Sequence, residues 1–247
     1  MPTLGYLALD WMTTYLSRPT VTYDAPFQPT REQAEFLLKW YQLDPITGER
    51  TYRRGVIQRS KGWGKSPFLA AIAAFEALGP CRFAGWDANG RPVGMPWNET
   101  RKVDISLLAV SEEQTANAFE PMKEMMSSAS LAYEYPEVEV LETQILLPFN
   151  GKIRPRTSSP SSLEGKPDLF TIADQTETWY PNNGGRALGA VAKRNLSKTD
   201  GTLLEAPNAF VPGMGSFAEE TWNAWQKGMA GELSLIHISE PTRQEAI

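Results

Sequence analysis

The chain has 247 residues, 24 Lys plus Arg against 29 Asp plus Glu, and a net charge of −5, with no one-sign block that would serve as a basic nucleic-acid tail. Hydrophobic residues make up 41% and aromatics 11%, enough for one sizeable core, which excludes a disordered chain. A single cysteine, Cys81, and a single histidine, His237, exclude a disulfide framework, a Cys-rich zinc site and clustered histidine ligands.

The first 16 residues are apolar, but they lack the basic start of a signal peptide and Asp10 interrupts them; no stretch approaches the ~20 apolar residues of a membrane span. Leu4, Leu7, Trp11 and Tyr15 recur at helical spacing, and Thr30-Arg31-Glu32-Gln33 ahead of Ala34, Phe36 and Leu37 reads as a capped helix start. Residues 1–50 are thus a helical preface. Gly55-Val56-Ile57 predicts a strand, then a Gly-rich turn, then a helix over 66–78 that Gly79-Pro80 stops. Residues 81–102, with five Gly or Pro, predict an irregular insertion. Val103–Val110 predicts a strand, and Ser111 with Gln114 a capping box for a helix carrying Phe119, Met122 and Met126.

Val138–Leu141 and Gln144–Leu147 predict strands paired across a turn, with Lys152-Ile153-Arg154 as a third edge, and Ser158–Gly165 a loop. Leu169–Ala173 is a fully apolar strand ending at Asp174; Asn182–Gly185 opens a helix through Leu196, and Thr202–Leu204 is a further strand. Strands alternating with helices predict an α/β fold with a mostly parallel central sheet flanked by helices.

The chemistry concentrates in two places. Arg59-Ser60-Lys61-Gly62-Trp63-Gly64-Lys65-Ser66 follows a strand and opens a helix, the context a phosphate-binding loop requires. There glycines let backbone N–H groups approach phosphates, Lys65 reaches the β- and γ-phosphates, and Ser66 can hold Mg²⁺. The leading Gly of the generic pattern is replaced by Arg59. An apolar strand that ends in Asp174 supplies the second acidic ligand such a metal uses. Glu177 can take a proton from water, whereas Gln175 can only orient one, so either Glu177 is the base or hydrolysis is slow. Arg59 and Lys61 are cations able to neutralise charge on a transferring phosphoryl group, or else solvated flanks of a turn. Cys81 reads as a small core residue, and most of the tryptophans as packing, Trp63 excepted because it lies inside the loop.

RRGVIQRSKGWGKSPFLAAIAAFEALGP, LLAVSEEQTANAF, LFTIADQTETW and LLEAPNAFVPG, in this order, resemble the ATPase domain of tailed-phage terminase large subunits, the motors that package DNA into proheads. The resemblance implies a P-loop NTPase of the RecA/ASCE-like kind, with ATP and Mg²⁺ as cofactors. It identifies Lys61 with the early basic residue of the family's deviant loop and makes Gln33 the residue that contacts adenine, with an N3 cap as the competing reading. It places Asn208 in the motif that senses the γ-phosphate. Family members carry Asp-Glu where this chain has Asp174-Gln175, which moves the base to Glu177.

The implied organisation is 1–50 as the helical segment with the adenine-binding region, 51–232 as the P-loop ATPase core, and 233–247 as a non-native tail. That tail, LSLIHISEPTRQEAI, resembles translated adapter sequence; without it the chain has no histidine. A C-terminal nuclease domain is expected to be absent, and nuclease activity with it. The implied partners are double-stranded viral DNA, the portal protein, the small terminase subunit and further copies in a pentameric ring, in the cytoplasm of the infected bacterium, with no membrane. At −5 any DNA contact must use a local patch, for which Lys193, Arg194 and Lys198 are candidates. The competing functions are a nucleotide-binding module with little hydrolysis and a P-loop phosphotransferase.

Overall fold

The structure, a computed structural model, describes residues 1–19, 25–157, 168–196, 200–228 and 235–239, the last of these by backbone alone. The preface forms two helices. α1 (Gly5–Tyr15) buries Ala8, Trp11 and Met12, and α2 (Arg31–Trp40) buries Phe36, Leu37 and Trp40. α2 opens on a complete capping box, in which Gln33 N donates to Thr30 Oγ1 at 3.3 Å and Thr30 N donates to Gln33 Oε1 at 2.9 Å.

β1 (Arg54–Gln58) leads through the Gly-rich turn into α3 (Lys65–Leu78). Every residue of α3 from Phe68 to Leu78 is buried, which is why small alanines fill the spaces between Phe68, Ile72 and Phe75. Glu76 lies within that buried stretch and is matched by Arg50 Nη2 at 2.8 Å.

Residues 81–102 depart from the expected irregular insertion. They form an antiparallel hairpin, β2 (Arg82–Trp86) with β3 (Pro92–Met95), followed by a short 3-10 turn, Trp97–Glu99. Asp87 explains the turn, because its Oδ1 accepts from Asn89 N at 2.8 Å and Arg91 N at 2.7 Å.

β4 (Asp104–Leu108) precedes α4 (Glu112–Met126) and the short α5 (Ala129–Glu134). Gln114 N donates to the Ser111 hydroxyl at 3.2 Å, but the reciprocal half of the expected box does not form, because the Gln114 amide reaches Gln175 instead. β5 (Glu139–Val140) and β6 (Ile145–Leu147) pair antiparallel as expected.

β7 (Gly151–Arg156) is not an edge. It lies inside the sheet, antiparallel to β6 and parallel to β4. Arg154 Nη2 meets Asp104 of the neighbouring strand at 3.1 Å while Ile153 is buried, so the strand's polar and apolar residues both find partners within the sheet.

β8 (Phe170–Asp174), α6 (Gly185–Leu196), β9 (Thr202–Ala206), α7 (Phe217–Gly228) and β10 (Leu235–Ser239) complete the described elements. The sheet order is β10-β1-β9-β8-β4-β7-β6-β5, with every pairing from β10 to β7 parallel. One core, built on Ile57, Ile105, Ile172 and Leu204 with α3 and α4, covers one face. A second, built on Leu108, Ala173 and Leu203 with Leu188 and Val191 of α6, covers the other. The chain is therefore α/β, with a mostly parallel central sheet flanked by helices. β10, from the segment expected to be non-native, runs parallel to β1; residues 233–234 and 240–247, the 158–165 loop and Lys198 lie outside the described residues.

Candidate functional site

The site lies where β1, β9 and β8, three adjacent parallel strands, deliver their C-terminal ends to one edge of the sheet. In open parallel sheets this edge is where ligands bind, because helix N-termini and connecting loops converge there.

The turn after β1 depends on two glycines. Gly62 has φ +94° and Gly64, the residue capping α3, has φ +88°, a left-handed conformation that a side chain would strain. Pro67 stands in the first turn of α3, where the helix needs no N–H from it. The result is a helix N-terminus preceded by a flexible-backbone loop, which suits an anion.

Lys65 begins the helix and turns its ammonium back over the loop. Lys65 Nζ donates to Arg59 O, to Ser60 O at 3.2 Å and to Asn208 Oδ1 at 2.7 Å. Asn208 follows β9, and β9 is the strand between β1 and β8, so Asn208 can reach both neighbours. Its Nδ2 donates to Glu177 Oε1 at 2.7 Å and its backbone N–H to Glu177 Oε2 at 3.0 Å. Lys65, Asn208 and Glu177 thus form one continuous polar chain across the ends of three strands.

Asp174 ends β8 beside this chain. Burial pushes its carboxyl up to about 6, the Glu177 charge pushes the same way, and the Gln175 N–H and the Lys65 ammonium pull against both. Its backbone carbonyl accepts from Trp179 Nε1 at 3.0 Å, which fixes the strand end. Gln175 adopts a left-handed conformation, φ +52°, which carries its side chain away to accept from Gln114 Nε2 at 3.1 Å. Gln114 is a site neighbour that sequence reasoning assigned only to a cap.

The two basic residues of the loop separate. Arg59 is buried and engaged by Glu32 of α2, with Nε at 3.0 Å from Oε1 and Nη2 bonded to the same oxygen, while its Nη1 donates to Gln58 O at 2.8 Å. Lys61 is exposed at the loop. Glu32 Oε2 also accepts from Trp63 Nε1 at 2.8 Å, and these bonds hold its carboxyl below the usual range. Glu32 went unremarked in the sequence because its partners lie about thirty positions downstream.

Gln33 is buried and caps α2 through Oε1, so the cap reading describes one end of its amide. Its other end points at the loop: Nε2 lies 3.7 Å from where a Cβ on Gly64 would stand. Ser66 is half-buried in the first turn of α3. Of the basic residues proposed for DNA, Lys193 Nζ is paired with Glu220 at 3.2 Å and lies over the Phe217 ring.

Among the described residues no group of three or more His, Cys, Asp or Glu side chains could hold a metal. A divalent ion here would therefore draw remaining ligands from a bound phosphate and water, with Ser66 and Asp174 on the protein side. Lys65 already sits in a ring of oxygen acceptors, a position phosphate oxygens can take over.

The α/β sheet carries a glycine turn and a lysine after one strand and a buried aspartate at the end of another. The chain has the fold of phage large-terminase ATPase domains. It superposes on the HK97 bacteriophage large terminase with a TM-score of 0.69 and 15% identity, over 96% of this chain and 44% of that one. It also matches the ATPase domain of the Thermus phage P74-26 large terminase with a TM-score of 0.55 and 15% identity, over 88% of this chain and 83% of that one.

By sequence it is 36% identical over 256 residues to the Gene 13 protein of Mycobacterium phage L5, and 34% over 260 residues to that of phage D29. In each case the match takes in 93% of this chain and 42% of the relative, so the chain spans less than half the length of the curated relatives it matches. No family model matches.

Proposed function

We propose that the chain is the Mg²⁺-dependent, ATP-hydrolysing motor domain of a phage terminase large subunit, driving viral DNA into the prohead. The observation that carries this reading is the Lys65–Asn208–Glu177 chain, which links a phosphate-loop lysine to a carboxylate in the short turn that follows the strand ending in Asp174.

In this reading Gly62, Trp63 and Gly64 shape the loop around the β- and γ-phosphates, and Lys65 exchanges its carbonyl and Asn208 partners for phosphate oxygens. Ser66 and Asp174 hold Mg²⁺, which when bound neutralises charge shared by those phosphates. Glu177 accepts the proton of the attacking water, and Asn208 holds that carboxylate and registers whether the γ-phosphate is present. Lys61 is the cation left to face the transferring phosphoryl group, because the Arg59 charge is engaged by Glu32. Gln33 offers its free amide end to the base. Gln175, held by Gln114, has no part in proton transfer.

The partners in this reading are double-stranded viral DNA, the portal protein, the small terminase subunit and other copies in a pentameric ring, in the cytoplasm of the infected bacterium. Among the described residues no helix is long and apolar enough to cross a membrane. A second reading, a nucleotide-binding module with little turnover, draws on Gln175 standing where the resembling family has Glu.

The test is Mg-ATP binding by calorimetry together with phosphate release, for the wild type, Lys65→Ala and Glu177→Gln. The motor reading expects Lys65→Ala to lose both binding and turnover and Glu177→Gln to lose turnover alone. Unchanged hydrolysis in Lys65→Ala refutes it, and a wild type that binds without turnover favours the second reading.

A further inference from the structure

The first turn of α2 and the phosphate loop are joined by one carboxylate. Glu32 Oε1 takes the guanidinium of Arg59, the first residue of the loop, and Oε2 takes the indole N–H of Trp63, its middle residue. The carbonyl of Arg59 is in turn an acceptor for Lys65 Nζ. Glu32 therefore reaches the phosphate-binding lysine through a single intervening residue. A second tie runs in parallel through rings: Trp63 packs edge-on against Phe68 at 5.8 Å, and Phe68 against Phe36 of α2 at 5.8 Å.

The next residue on α2 is Gln33, whose free amide end points at Gly64. One helical turn thus carries the group aimed at the loop's last glycine and the group that fixes the loop's first and middle residues. This also accounts for an arginine where the generic loop begins with glycine. The side chain is needed as a handle for α2, and it is buried rather than aimed over the loop.

We infer that Glu32 is a positioning residue that sets the phosphate loop in its binding shape before nucleotide arrives, acting through Arg59 and Trp63. This rests on the nucleotide-binding reading above. Without the clamp, ordering of a glycine-rich loop must be drawn from binding energy, so affinity falls while the chemistry at saturation is spared.

The experiment measures Kd for Mg-ATP and, separately, kcat, in the wild type, Glu32→Ala, Glu32→Gln, Arg59→Ala and the Glu32→Ala/Arg59→Ala double variant. Trp63 emission, isolated by difference against Trp63→Phe, is followed in parallel. Glu32→Ala is expected to raise Kd about tenfold with kcat within about twofold. Arg59→Ala is expected to match it, and the double variant to add little, because the two residues act as one unit. Glu32→Gln, which keeps an acceptor for Trp63 but no ion pair, should fall between, and the Trp63 emission should move toward that of a solvated indole in Glu32→Ala.

A lowered melting temperature with unchanged Kd in Glu32→Ala overturns the inference and leaves only a structural ion pair. Additive losses in the double variant overturn it as well. A wild type that binds no Mg-ATP overturns the nucleotide reading itself, a result distinct from either.

Discussion

Replacing Asn208 by Ala removes two hydrogen bonds with charged partners, Lys65 Nζ to Oδ1 at 2.7 Å and Nδ2 to Glu177 Oε1 at 2.7 Å. Such bonds contribute about 1.5–3 kcal/mol each, and a half-buried site belongs at the lower end. The two losses have different consequences. Glu177 keeps one tether, the backbone N–H of residue 208 at 3.0 Å, so its carboxylate loses about half of its orientation. A loss of about 1.5–2 kcal/mol from the transition state corresponds to roughly a 10- to 30-fold fall in kcat. Lys65, by contrast, loses an acceptor that competes with phosphate and keeps the carbonyls of Arg59 and Ser60. Kd for Mg-ATP should therefore stay level or tighten. Single-turnover hydrolysis at saturating Mg-ATP, paired with a binding titration, reads the two effects apart. A tenfold weaker Kd with unchanged kcat would falsify the assignment of Asn208 to holding the base.

Glu177→Gln should lower kcat by about 10²- to 10⁴-fold with little change in Kd, the range for losing a general base. Gln175→Glu should leave turnover near that of the wild type, because its side chain is directed toward Gln114; a large rise in phosphate release would show the base assignment to be wrong. Gly189→Ala places a Cβ 2.2 Å from the Phe217 ring where α6 meets α7 and should cost about 1–3 kcal/mol, visible in calorimetry as a lower melting temperature; an unchanged transition would contradict the packing.

Burial pushes the Asp168 carboxyl up to about 6 against the pull of Arg156, so the folded chain holds that proton more tightly than the unfolded one. Stability should then fall as pH rises from about 4 to 6, by up to roughly 3 kcal/mol from this group, and Asp168→Asn should flatten that slope in chemical denaturation. A stability difference between the wild type and Asp168→Asn that stays constant with pH across that window would exclude it.

The parts legible in the sequence are those whose signal is local. Gly62, Gly64, Lys65 and Ser66 lie between an apolar strand and an Ala-rich helix, and Leu169–Asp174 is an uncharged run, apolar but for Thr171, with one terminal charge, so both strand ends of the site could be read directly. The box at Thr30 and Gln33 was equally plain.

What escaped depends on partners distant in sequence. Glu32 looks like any acidic residue in a first helical turn until Arg59 and Trp63 are brought to it, and Gln114 looks like a cap until Gln175 turns in its left-handed backbone. The place of β7 inside the sheet was hidden because the carboxylate that meets Arg154, Asp104, stands fifty positions earlier in the chain. The hairpin at 82–95 was hidden for a different reason: its turn signal at Gly90 is diluted by Gly85, Pro92 and Gly94, which lie within the two strands themselves.

One consequence follows from the way α3 is held. The helix is about 21 Å long at ~1.5 Å rise per residue. Its first residue belongs to the phosphate loop, while Glu76 near its far end is locked to Arg50 inside the core. Sliding the helix along its axis would strip that buried pair and shear a close-packed layer, each costing several kcal/mol. On the motor reading proposed above, α3 and the sheet are the stator, and a stroke would be delivered by the segments that follow β8 and β9, beginning at Gln175 and Asn208.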